Sequence, residues 1–249
     1  MALMNSGIFI TQERRQLWYL VIKNFKSMIR EKSQLIWLFG YPMLFICLLS
    51  VAYGSEVLKI MGPGLLITGP IVIISQLASH FAEEKELGTL QRLTTTPVSR
   101  LTILFSGLFS QLMVGAIQIV ILIIMAALFG VYFHPDVNIP LLFVIPFLVT
   151  FTSLGFGLIL ASFVKSSSSA TGLAWFIILP LQFLGGSFSD EPIVDFLPTS
   201  LAVEAMQSVM THGIVSFDVV GQNLILTLLW GIVGVIIGVI LFQRKTAIL

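Results

Sequence analysis

Six long stretches of the chain contain no Asp, Glu, Lys or Arg: Ser33–Ser55, Ile60–Ala82, Leu101–Pro135, Val137–Val164, Ser166–Ser189 and Val219–Gln243. About 20 apolar residues of helix cross a bilayer, so each run predicts a transmembrane helix. None alternates apolar and polar residues as a barrel strand does. The pattern predicts an all-α, polytopic membrane protein with six transmembrane helices, folded as one membrane domain over residues 1–249. No internal repeat and no Pro/Gly/Ser-rich linker divides it.

The segment before the first run has a different period. Over residues 12–32, Leu17, Leu20, Val21, Phe25, Met28 and Ile29 share one helical arc, widened by Trp18 and Ile22. Arg15, Lys23, Lys26 and Arg30 share the opposite arc, and Arg14 and Asn24 break the pattern. A basic amphipathic helix with Trp on its apolar side lies in the membrane interface. It serves either as an anchor before the first span or as a mechanical element that touches a cytoplasmic partner. It does not read as a cleavable signal, because Glu13-Arg14-Arg15 precedes any long apolar run.

Two further features stand out. Thr96 can cap a helix that carries Pro97 in its first turn. From Pro97 to Gly130, at about 1.5 Å per residue, such a helix exceeds the ~30 Å hydrocarbon thickness, so it tilts or projects into the cytoplasm. Residues 190–218, before the last run, mix Asp190, Glu191, Asp195, Glu204 and Asp218 with apolar stretches. Pro198-Thr199-Ser200 can start a short helix over Leu201–Met210, and Glu204 argues against a further crossing. This region reads as short helices at the outer interface or as a plain outer loop.

Composition agrees. Charged residues are 10% of the chain and apolar ones 57%, with mean hydropathy +1.01. Soluble domains carry about 25% charged residues. The distribution of charge then orients the protein. Of 13 Lys and Arg, only Lys59 falls in a loop on the other side from the rest. The positive-inside rule places both termini in the cytoplasm, which an even number of spans requires. A net charge of +1 gives no field that favours nucleic acid. The single cysteine, Cys47, lies in an apolar run and reads as a packing residue.

Chemistry is sparse. The spans carry no charge away from their ends, which argues against an ion-driven transporter. His80, His134 and His212 lack ligand spacing, so no metal site is expected. There is no P-loop, no HExxH, and Gly185-Gly186-Ser187-Phe188 lacks the second glycine of a nucleophile elbow. The chain reads as a non-enzyme that binds no cofactor itself. Ser75, Gln76, Ser106, Ser110, Gln111, Gln118 and Gln182 are polar groups inside spans. They fit interhelical hydrogen bonds, and Gln76, Gln111, Gln118 and Gln182 are also candidates to line a pathway. Gly234 and Gly238 form a small-xxx-small helix contact.

The charge-rich interruption between the second and third runs reads EEKELGTLQRLTTTPVSR, from Glu83 to Arg100. Gly88 permits a sharp change of direction. Leu87, Leu90 and Leu93 give a short helix one apolar edge, a plausible docking device beside ready charges; a merely solvated loop would need only the charges. This stretch is similar to the loop signature of type-2 ABC exporter permeases. Glu84, Glu86, Gly88, Thr89, Leu90, Leu93, Thr96, Pro97, Ser99 and Arg100 match in order. Gln91 stands where many relatives have a carboxylate. The segment Pro198–Ala205 and the overall layout also resemble that family, nearest its drug- and antibiotic-resistance branch.

The resemblance implies a role for each part. Residues 83–96 would be the coupling helix, seated in a groove of a separate ABC ATP-binding subunit that holds ATP and Mg. Leu87, Leu90 and Leu93 would pack, with Glu83, Glu84, Glu86 and Arg92 as rim charges and Gly88, Thr89 and Pro97 shaping the loop. Two permease copies, as a homodimer, and two ATPases would sit in the cell membrane and export a hydrophobic or amphipathic substrate: a drug, lipid, lipid-linked glycan or natural product. A passive pore or a membrane scaffold is the rival class.

Overall fold

The computed structural model describes residues 2–89, 99–189, 191–212 and 217–246. Every regular element among them is helical: α1 (Ala2–Arg30), α2 (Lys32–Leu35), a π-helical turn (Ile36–Gly40), α3 (Tyr41–Glu86), α4 (Arg100–Leu128), α5 (Ile139–Phe163), α6 (Ser167–Leu184), α7 (Pro198–His212) and α8 (Phe217–Thr246). The protein is a multi-pass, all-helical membrane protein. Five helical segments are long and apolar enough to cross a bilayer: Val57–Glu86, Leu101–Leu128, Ile139–Phe163, Ser167–Leu184 and Val220–Lys245.

The first apolar run forms a shorter helix, Ile36–Ala52. At about 1.5 Å per residue it measures roughly 26 Å. Two sequence features set its limits. Pro42, in the first turn of α3, has no N–H to offer the carbonyl of Leu38 four residues earlier. Gln118 of α4 donates to that carbonyl instead, at 2.7 Å, beside the π-helical turn. At the other end Gly54 adopts φ 73°, ψ −169° and breaks α3. L-residues with a Cβ avoid that region.

The second part of α3 is the centre of the bundle. Its most apolar window is 78% buried, against 22% for those of α6 and α8. Leu65, Ile67, Ile71, Ile74, Leu77 and Phe81 are all fully buried. Helices α5 and α8 pair closely. A Cβ on Gly155 would lie 2.7 Å from the carbonyl carbon of Gly234, and one on Gly238 would press on Leu158. The expected small-residue contact is therefore present, and it faces α5.

Helix α1 docks by a different edge from the one its amphipathicity emphasises. Val21 and Met28 are buried as expected, but so is Asn24, whose amide donates to Ser106 Oγ of α4 at 3.3 Å. Trp18 and Ile29 remain exposed. The apolar arc is wider than the protein contact, and its free edge suits the bilayer interface. Helix α4 starts at Arg100 with Ser99 as its cap, whose Oγ accepts from Thr102 N at 3.0 Å; Thr96 and Pro97, the expected start, lie outside the described residues. With 29 residues it still measures about 43 Å.

Side-chain contacts define two ends of the bundle. At one end Lys23 of α1 meets Glu84 of α3 at 3.5 Å. There Lys85 lies 5.0 Å above the ring of Phe242, and Lys245 lies 3.8 Å above that of Phe163. The helix before the first apolar run, the last residue turns of α3 and the basic end of α8 thus share one end. At the opposite end Ser50 Oγ donates to Phe129 O at 3.0 Å, and Lys59 lies 6.0 Å from the ring of Tyr132. Helix α7 packs here against α3, α5 and α8. It is buried along Leu201, Ala202, Ala205, Met206, Val209 and Met210.

Candidate functional site

The distinctive loop begins where α3 ends. Leu87 N–H donates to Glu83 O at 2.9 Å and Gly88 N–H to Lys85 O at 3.1 Å, which satisfies the last carbonyls of the helix. Gly88 takes φ 66°, the turn expected of it. Thr89 resumes helical geometry. Leu90, Arg92, Leu93 and Pro97 lie outside the described residues. Leu87 stands on the surface, 63% exposed.

The charges before that turn bond within the chain. Glu84 is nearly buried and pairs with Lys23 of α1. Lys85 turns the other way and donates to Ala161 O and to Val164 O, the latter at 3.5 Å. Those are carbonyls at the C-terminus of α5, where helical hydrogen bonding runs out and the helix dipole favours a cation. Glu86 Oε2 accepts from Ser167 N at 3.1 Å, the first N–H of α6, where the dipole favours an anion. Three consecutive charged positions therefore clamp the end of α3 to α1, α5 and α6.

Glu83 has a separate position. Its carboxyl faces that of Glu31, just after α1, and both line a cleft of about 810 Å³. The floor of the cleft is one face of α3, along Val72, Ser75, Gln76, Ser79, Glu83 and Glu86. These positions recur at the three- and four-residue spacing of a helix face. From Glu86 inward to Val72 the cleft is about 21 Å deep. Glu31 and Trp37 form one wall; Ser167, Thr171 and Trp175 of α6 form the other. Among the described residues no Lys or Arg lines it.

Its inner wall is built from a relay of side chains. Ser79 Oγ and Thr171 Oγ1 lie 3.0 Å apart, joining α3 to α6. Trp175 meets the ring of Tyr41 edge-on, at 4.9 Å between centroids. Tyr41 OH donates to Gln182 Oε1 at 2.8 Å, and Gln182 Nε2 donates to Thr68 O at 3.4 Å.

The candidate glutamines separate accordingly. Gln76 lines the cleft. Gln182 stands behind it and orients Tyr41. Gln118 holds the Leu38 carbonyl. Gln111 is fully buried in α4, and among the described residues neither of its amide atoms has a hydrogen-bond partner. Sequence reasoning missed Glu31, Trp37, Thr171 and Trp175. The available signal was a carboxyl beside a span and two tryptophans inside runs that are otherwise mostly aliphatic.

No curated protein matches this sequence. A family model described as ABC-2 type transporter matches residues 15–217, from within α1 to the first residue of α8. With most of its length matched and several helices apolar enough to cross a membrane, this chain belongs to the ABC-2 type transporter family, as a membrane transport component.

Proposed function

We propose that the chain is the permease subunit of an ATP-driven exporter, moving a hydrophobic or amphipathic molecule outward by alternating access. A drug-like molecule, a lipid or a natural product fits this description, in keeping with the drug-resistance branch whose loop wording it shares. ATP and Mg bind a separate ATP-binding subunit, present in two copies beside a homodimer of permeases in the cell membrane. The family match supports an ATP-binding partner in general. The observation that carries the coupling role is the clamp at Glu84, Lys85 and Glu86. A force applied at the turn after Leu87 reaches α1, α5 and α6 together. The cleft opens at the same place, so the energy input and the substrate entry share one end.

The reading includes six crossings. Ile36–Ala52 follows Glu31 at the Lys23–Glu84 end and reaches Ser50 beside Phe129 at the other. It traverses the bundle despite its short length. Both termini then lie on the cytoplasmic side, as the distribution of Lys and Arg requires.

Deleting Leu87–Thr95 tests the coupling role. The expected result is loss of co-purification with the ATP-binding subunit, with the permease still inserted and monodisperse in detergent. Retained association would remove this loop from the coupling role. Flux through vesicles without ATP would instead favour a passive pore.

A further inference from the structure

We infer that the cleft at the open end of α3 is a binding site for an organic cation: an ammonium-type or other delocalised positive charge on an apolar body. The inference rests on the permease reading above and names the substrate class of the same cleft.

The chemistry of the lining leads to this class. Glu31, Glu83 and Glu86 bring three carboxyl groups to the mouth, and among the described residues no Lys or Arg lines the cleft. Of the described cations nearest the mouth, Lys23 pairs with Glu84, and Lys85 is bound to the carbonyls of α5. Past the carboxyls the walls carry Trp37 and Trp175. Indole faces attract cations, most strongly where water is excluded. Trp175 is held by Tyr41, itself fixed by Gln182, so the ring does not need ordering when a ligand arrives. Ser75, Gln76 and Ser79 add neutral hydrogen-bonding groups along the floor. An anionic molecule would meet the carboxyls without a counter-charge. A purely apolar one would desolvate them without return. A volume of about 810 Å³ is in the range that holds drug-sized ligands. A soluble lipophilic cation and the ammonium headgroup of a zwitterionic lipid share this chemistry.

Tetraphenylphosphonium and tetraphenylborate have the same shape and opposite charge. Each is titrated against the full-length chain in detergent and followed by equilibrium dialysis. Saturable binding is expected for the phosphonium alone. The double variant Glu31→Gln, Glu83→Gln is expected to weaken it by about tenfold or more, and Trp175→Leu by about tenfold, with Trp175→Phe recovering part of the loss. The glutamines keep the size and polarity of the side chains without their charge, and unchanged thermal unfolding shows that the variants are folded. Glu86 is left intact because it supports α6. Repeating the titration in nanodiscs separates the two sources. Competition by phosphatidylcholine but not phosphatidylglycerol assigns the cleft to a lipid headgroup; indifference to both assigns it to a soluble cation. Equal saturable binding of the borate, no saturable binding of the phosphonium, or no effect of the carboxyl variants would overturn the proposal. This measurement needs no ATP-binding subunit. A failure here leaves the coupling reading standing, and lost coupling would leave the binding result standing.

Discussion

The two ends of the bundle are held by different forces. At the end where α3 stops, charges and helix termini meet: Lys23 with Glu84, Lys85 with the end of α5, Glu86 with the start of α6. Between them lies a deep cleft with carboxyls at its mouth and tryptophans on its walls. At the other end α7 covers the helices with Leu201, Met206, Val209 and Met210, all buried. Thr199 Oγ1 ties it to Leu181 O at 2.8 Å. Polar contacts in an open cleft exchange with water at little net cost, about 1 kcal/mol per hydrogen bond. Exposing an apolar side chain costs about 1.5–3 kcal/mol each. The arrangement is open at one end and sealed at the other. On the alternating-access reading proposed above, reversing it would require work against the apolar seal, applied at the charged end.

The largest effect is expected at the seal. Gly64 of α3 lies against the backbone of Ser187, and a Cβ there would fall 2.5 Å from Ser187 Cα. Backbone on both sides leaves no flexible side chain to move. Gly64→Val should cost a few kcal/mol, seen as a marked drop in the thermal unfolding midpoint in detergent. An unchanged midpoint would mean that the sealed end is looser than this packing implies, and the contrast between the ends would fail.

The next effect is expected at the charged end. Lys85→Met keeps the length of the side chain and removes its donors. The carbonyls of Ala161 and Val164 then lose a charge-assisted partner, at about 1–3 kcal/mol. ATP-driven transport should fall more steeply than stability, because α5 is no longer tied to the turn at Gly88. Lys85→Arg, which restores donors, should recover both in part. Equal transport by Lys85→Met and the parent would show that α5 moves without this link.

Much of this architecture was readable in the sequence, and the reasons are physical. Uncharged runs mark crossing helices because the bilayer allows little else, and five of the six appear as helices of crossing length. Gly88 was legible because a turn with positive φ has few alternatives to glycine. The first run was harder: its break comes from a single glycine, Gly54, and its π-helical turn lies beside a partner, Gln118, supplied from 80 positions away. The cleft was harder still. Its glutamine, Gln76, was among the candidates, but Gln111, Gln118 and Gln182 shared the same apolar context, and only tertiary packing sorts them. Glu31, Trp37 and Trp175 come from segments far apart in the chain, and no local period links them. The charges of the loop were legible as a cluster, but their directions were not: three consecutive residues on a helix point about 100° apart, so each meets a different neighbour.

The smallest effect separates the two kinds of contact within the charged end itself. Lys23 is half exposed and Glu84 nearly covered, with 3.5 Å between them. A pair of this kind contributes about 0.2–1 kcal/mol and is screened by salt. Lys23→Ala should therefore shift the unfolding midpoint only slightly at low ionic strength, and not measurably at about 1 M salt, where the Debye length is about 3 Å. The anchorage of α1 does not depend on that pair alone, since Val21 and Met28 are buried and Asn24 reaches Ser106. Asn24→Ala should accordingly destabilise more than Lys23→Ala, and its effect should persist in salt. The reverse order would place the hold on α1 in surface electrostatics. The charged end would then be loose on its α1 side and firm on its α5 and α6 sides, and a force at the turn would reach only two helices.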